Sequence, residues 1–182
     1  MFDVFPKRWW EHNAGHNDHE EMTNLCLRVA IPEKFRQDAS LYLSYVVQDG
    51  ETPSDVAEKL YDDASLYWTI YYANQMLNPT ENWPMSEDLL HRWLVKTYGY
   101  ERMGETHHYV DMNGHIVDVD AIRHSLTISG LTDSQIVEYY SLTPISIEKY
   151  YTAINEKKRK IRLIDPDYIF TFKNEMERLI NE

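Results

Sequence analysis

Apolar and polar residues follow no fixed spacing over the first 21 positions of the chain. His, Asn, Asp and Glu dominate there, interrupted by Phe2, Phe5, Trp9 and Trp10. A mixture without helical or strand period predicts an arm whose aromatics need a surface to cover them, on this chain or on a neighbour. "MTNLCLRVAIPEKFRQDASL" is ambiguous and is punctuated by Pro32. From Leu41 the pattern sharpens. "LYLSYVV" is rich in β-branched and aromatic residues and runs to the turn pair Asp49-Gly50, which predicts a strand. Thr52 then offers an N-cap, Pro53 suits the first helical position, and Asp55 completes a capping box. Val56, Ala57, Leu60 and Tyr61 follow at one-face helical spacing. A second helix is expected over 64–74. Ser86 caps a third, with Glu87 and Asp88 in its first turn, Leu89, Leu90, Trp93 and Leu94 on one face, and Gly99 as its stop.

Further on, "HHYVDMNGHIVDV" sets an Asn-Gly pair between two short alternating runs, a strong local hairpin signal. A polar helical stretch covers 146–158. In "KIRLI", Ile161 and Leu163 share one face and Lys160 and Arg162 the other, as in an edge strand. Asp165-Pro166 opens a last helix in which Ile169, Phe172, Met176 and Leu179 recur at steps of three and four, a stripe that must pack on something. The expected class is therefore α+β.

The formal charge of -12 changes the list of partners, because it opposes binding to a phosphate backbone; proteins are expected instead of nucleic acid. Cys26 is the single cysteine, so neither a disulfide framework nor a paired-cysteine metal site is expected. No signal-peptide core opens the chain, and no window approaches the ~18 apolar residues of a membrane span.

Against this background Tyr45–Asn74 resembles a LysM module. Tyr45-x-Val47 stands for the first strand, Gly50-Glu51-Thr52 for the strand-to-helix turn, Val56-Ala57 for the first helix, and Ile70-Tyr71 with Ala73-Asn74 for the close of the second. The stretch continues to Asn78-Pro79 and Trp83-Pro84. There the chain departs from the LysM pattern: Met85 and Ser86 follow Pro84, where LysM domains have a proline-glycine turn into their second strand. "MTNL", the "HHYVDMNGHIV" hairpin and "NEKKRKIRLI" with its final helix extend the likeness. Together these stretches, over roughly residues 22–180, resemble the small LysM-bearing baseplate wedge subunits of T-even-like contractile-tail phages.

The resemblance implies an α+β protein in which a LysM-like strand-helix-helix core is elaborated by an additional helix, a β-hairpin and a C-terminal strand plus amphipathic helix. Its divisions fall at 1–38 (arm and lead-in), 39–85 (LysM-like module) and 86–182 (extension). The implied role is architectural: a tail-baseplate subunit of the virion that binds other wedge proteins and helps neighbouring wedges associate around the tail hub. No reaction, cofactor, membrane or glycan partner goes with it. The alternative is a peptidoglycan-binding LysM module of a phage or cell-wall protein.

Candidate chemistry is sparse. His12, His16, His19 and Glu20 could share a helix face, but Gly15 and the absence of H-E-x-x-H favour a solvated arm over a metal site. "DMNGHIVDVD" lacks the carboxylate spacing of an EF-hand, and no G-x-S-x-G elbow is present. Three features suit a protein partner. They are Trp9 and Trp10 of the arm; Trp68 and Tyr72, one turn apart on a helix that is apolar nearly all round; and the basic run with Lys157, Lys158 and Arg159, suited to an acidic patch. The rival reading covers Trp68 and Tyr72 with the chain's own C-terminal half and leaves the basic run as a solvated face.

Overall fold

The computed structural model describes residues 7–11, 19–23, 37–125 and 131–181. They divide into two compact units: residues 85–158 form one, and the chain before and after them forms the other.

The discontinuous unit is built on strand β3 (Tyr42–Val46), helix α1 (Pro53–Tyr61), helix α2 (Tyr67–Ala73) and strand β7 (Lys160–Ile164). β3 and β7 pair antiparallel, with Tyr42 opposite Ile164 and Val46 opposite Lys160. The local signals work as the sequence predicts. Thr52 Oγ1 accepts the Asp55 N–H at 3.2 Å while the Asp55 carboxylate accepts the Thr52 N–H at 2.8 Å, and Pro53 opens the helix. That box satisfies two N–H groups the first turn leaves without intrahelical partners. Val47, Val56, Ala57, Ile70, Ile161 and Leu163 form the buried core, ringed by Tyr45, Leu60, Tyr61, Leu66, Tyr67, Met76 and Trp83.

β7 thus supplies the strand that pairs with β3, although more than a hundred residues separate the two in sequence. Met85-Ser86 does lead into a helix, as the sequence suggests, but the partner strand arrives later, from the segment the sequence divisions assign to the C-terminal extension. Helix α8 (Pro166–Asn181) follows β7 and lays Phe172, Met176 and Leu179 against Trp68 and Tyr72.

The 85–158 unit holds helix α4 (Glu87–Tyr98), strands β4 (Thr106–Val110) and β5 (Ile116–Val117), helices α5 (Val119–Ser125) and α6 (Asp133–Tyr139), strand β6 (Thr143–Ser146) and helix α7 (Ile147–Lys158). A one-turn helix, α3 (Pro79–Asn82), precedes the unit. Ser86 Oγ accepts the Leu89 N–H at 3.3 Å, and Gly99, at φ 84°, ends α4. A β-branched or bulky side chain there would be strained. The sheet order is β5-β4-β6. The expected hairpin forms, but Val110 opposite Ile116 leaves residues 111–115 as its loop. The Asp111 carboxylate accepts the Asn113 and His115 N–H groups at 2.8 and 2.9 Å, which fixes this loop without a two-residue turn. Leu90, Leu94, Met103 and Ile147 form one cluster of the unit, and Val119, Ile136 and Leu142 a second.

The arm requires a correction. Its described residues are two antiparallel strands, β1 (Lys7–Glu11) and β2 (His19–Thr23), with Trp9 opposite Glu21 and Trp10 opposite Glu20. No strand period was legible because neither face of this ribbon is buried, so nothing demands apolar-polar alternation. The helix-face grouping of His12, His16, His19 and Glu20 falls with it: His19 and Glu20 are consecutive strand residues, while His12 and His16 lie outside the described residues.

Candidate protein-interaction surfaces

Trp9 and Trp10 are adjacent in β1 and so occupy opposite faces of the ribbon. Both are open to solvent, at 67% and 60% exposure, and Met22 beside them is half exposed. Lys7 Nζ reaches the Glu21 carboxylate at 3.0 Å on the face that carries Trp9. An isolated two-stranded ribbon is marginal in water. Two tryptophans exposed on one such element are an uncovered apolar surface.

Trp68 and Tyr72 do share a face, their rings edge-on at 5.7 Å, but that face is already covered. Phe172 of α8 stacks on Trp68 with centroids 6.2 Å apart, Met176 is buried against it, and Trp68 keeps 9% exposure. The expectation that these two rings form an open anchor is therefore corrected: the α8 stripe, whose need for a surface was plain, finds it here.

The basic run is also split. Lys157 is exposed and Lys158 partly buried in the last turn of α7, where cations favourably meet the negative end of the helix dipole. Arg159 is 7% exposed, and its guanidinium donates to the Val47 carbonyl at 3.3 Å and to Asp49 at 2.7 Å. It belongs to the structure beneath the β3–α1 turn and not to a docking surface. A buried arginine needs such partners, because desolvating its charge without them is costly.

The same turn contains a dense cluster of ionisable groups around a single carboxylate. Glu51 accepts the Gln48 N–H at 2.7 Å and the Tyr45 hydroxyl at 2.9 Å and pairs with Lys59 at 3.3 Å. Burial pushes its pKa up, but these donors outweigh burial and hold it below the ordinary value. A carboxylate kept ionised with its lone pairs occupied is a poor general acid or base. The Trp83 indole N–H donates to the Glu51 carbonyl at 2.9 Å and closes the turn from the other side. Among the described residues no group of three or more His, Cys, Asp or Glu is placed to hold a metal ion. Likewise, no described helix is long and apolar enough to cross a membrane.

Several exposed aromatics escaped the sequence reading. Tyr168 and Phe170 project from α8, and Tyr168 borders an apolar slot of about 60 Å³ lined also by Leu41, Tyr42, Ile164 and Phe172. Tyr139 and Tyr140 form an exposed edge-on pair at 5.0 Å at the end of α6. Each is a single break in an amphipathic pattern, a signal too small to separate from ordinary surface apolar residues.

The described residues thus show cores held by packing, an ion-paired turn and open aromatic surfaces. Comparison with known proteins gives the class. The family model described as base plate wedge protein 53 matches residues 18–179. Over 145 residues, 76% of this chain and 74% of the relative, the chain is 21% identical to baseplate wedge protein gp53 of Enterobacteria phage T4. The chain belongs to the base plate wedge protein 53 family and is a structural protein of the phage tail baseplate in the virion, not an enzyme.

Proposed function

We propose that this subunit binds other baseplate wedge proteins and helps neighbouring wedges associate around the tail hub, with the β1–β2 ribbon as one of its contacts. The observation that carries the reading is the exposure of Trp9 and Trp10 on an element whose two faces are both open. Trp is a frequent anchor of protein interfaces. Lys157, exposed at the end of α7, suits an acidic rim on a partner, with Lys158 beside it.

The core of the subunit is read as a LysM-like module built from residues 39–85, with β7 from later in the chain taking the place of its second strand. Two features support that reading: the strand-helix-helix run from Tyr42 to Ala73, and the antiparallel pairing of β3 with Lys160–Ile164. The module serves as scaffold and not as a glycan receptor, since the segment after α2 turns back and Trp83 seals the β3–α1 turn. Neither nucleic acid nor glycan is a partner in this reading.

Replacing Trp9 and Trp10 together by Ser tests it. The melting transition of the free subunit should stay in place, because the ribbon contributes nothing to the buried clusters, while incorporation into wedges should fall at least tenfold in a reconstitution assay. Normal incorporation of the double variant would remove the ribbon from the interface. Sedimentation with purified cell walls tests the glycan alternative, and saturable binding released by chitin oligomers would favour it.

A further inference from the structure

His107 and His108 are consecutive residues of β4, and in a regular strand their side chains would point to opposite faces of the sheet. They do not. Thr106 stands opposite Ser146 and His108 opposite Ile145, so two steps along β4 answer one step along β6, and His107 is the extra residue of a β-bulge. A bulge re-aims the side chain it carries. Here the two imidazoles come together, with Nδ1 of one 2.9 Å from Nδ1 of the other and the ring planes at 86°.

Helix α7 holds that arrangement from one side. The Tyr150 ring stacks on His107 with centroids 4.0 Å apart and planes at 14°, and it meets His108 edge-on at 5.4 Å. His107 is exposed and His108 half-buried, so the pair lies at the surface. Imidazole nitrogen is a ligand of first-row transition ions. Metal–imidazole bonds are about 2.0–2.1 Å long, and two of them at a right angle set their nitrogens about 2.9 Å apart. The spacing in this pair is that of neighbouring corners of a square-planar or tetragonal site, the geometry of copper(II) and nickel(II). The tetrahedral angle of zinc would spread the nitrogens to about 3.3 Å.

We propose that His107 and His108 bind a divalent ion of the copper or nickel type through their two Nδ1 atoms. Without the ion, one Nδ1–H donates to the other ring's Nδ1. With it, both rings carry their proton on Nε2 and both Nδ1 lone pairs face the metal. Among the described residues no third His, Cys, Asp or Glu joins them, which leaves the other corners to water. The site is distinct from the tryptophans of the ribbon and does not rest on their role.

A copper(II) titration of the full chain, followed through the assigned ring signals of its eight histidines in NMR spectra, is the test. A paramagnetic ion broadens the nuclei nearest to it. Substoichiometric copper(II) should erase the signals of His107 and His108 before those of the other histidines. His107→Gln and His108→Gln should each weaken nickel(II) binding at this site at least tenfold in calorimetry, since one imidazole alone forfeits the chelate. The rise in melting temperature that the ion gives the wild type should shrink in both variants, because a ligand stabilises only the fold that binds it. Signals of His107 and His108 that outlast those of His12, His16 and His19 overturn the proposal. So does equal broadening of all the histidines, which is adventitious binding only, or either variant binding as tightly as the wild type. The order of broadening is read on the wild-type chain and decides the matter even where a variant fails to fold.

Discussion

The side chain of Asn74 treats Arg162 as a neighbouring strand would. Its Oδ1 accepts the Arg162 N–H at 2.8 Å and its Nδ2 donates to the Arg162 carbonyl at 2.7 Å, so the outer edge of β7 is closed by an amide at the end of α2. Asn155 does the same for Met85 in the 85–158 unit, with both contacts at 2.8 Å. Each amide satisfies one donor and one acceptor that lie far away in sequence.

Asn74→Ala should lower the urea midpoint, because it removes the partner of both Arg162 backbone groups; at this exposed site, where water can take the amide's place, the loss is at most about 0.5–1.5 kcal/mol per hydrogen bond. Asn74→Asp should fail as well, since it keeps the acceptor but sets an anion against the Arg162 carbonyl. Unchanged midpoints for both would mean that water replaces the amide without loss.

Trp68→Ala should destabilise the free subunit by about 3–5 kcal/mol, the usual cost of emptying a buried aromatic site. Phe172→Ala should act in the same direction and less than additively with it, because the two rings stack on one another. Lys157→Ala, at an exposed helix end, should stay within about 0.5 kcal/mol of wild type. Calorimetry on the variants decides, and an unmoved transition for Trp68→Ala would show that α8 does not cover this face.

Glu51 links the fold to acid pH. Its folded pKa lies below the ordinary 4.5, so its stabilising contribution is present above that value and is lost as pH falls through the lower, folded one. Glu51→Gln should therefore be less stable than wild type at neutral pH, and the gap between their melting temperatures should close in acid. A gap that stays constant down to full protonation would assign the effect of the substitution to packing.

At the alkaline end, burial pushes Tyr61 up to about 12, while its hydroxyl donates to the Ile164 carbonyl at 2.8 Å. A raised folded pKa means that the contribution of this ring is intact below 10 and fades as pH climbs through the folded value. Ultraviolet titration of wild type against Tyr61→Phe should show one late-ionising phenol missing in the variant. Identical late phases in the two proteins would contradict the burial.

Much of this protein is written locally. The capping box at Thr52, the Ser86 cap, the Gly99 stop, the strands at Tyr42–Val46 and Lys160–Ile164 and the loop around Asn113-Gly114 each depend on a few consecutive residues, and each could be read before any coordinates. The order of those landmarks also carried the resemblance to the wedge family. What amphipathic periodicity could not supply was the identity of the covering surface. It asked for a cover over Trp68 and over the Met176 stripe without saying that the two cover one another, and it showed a basic run without showing that Arg159 leaves it for Asp49. The pairing of β3 with β7 and the β1–β2 ribbon were undetermined for the same reason. A hydrogen-bonding edge or an apolar stripe specifies the chemistry of its complement, and several segments of this chain meet that specification. Only the simultaneous packing of all of them selects one.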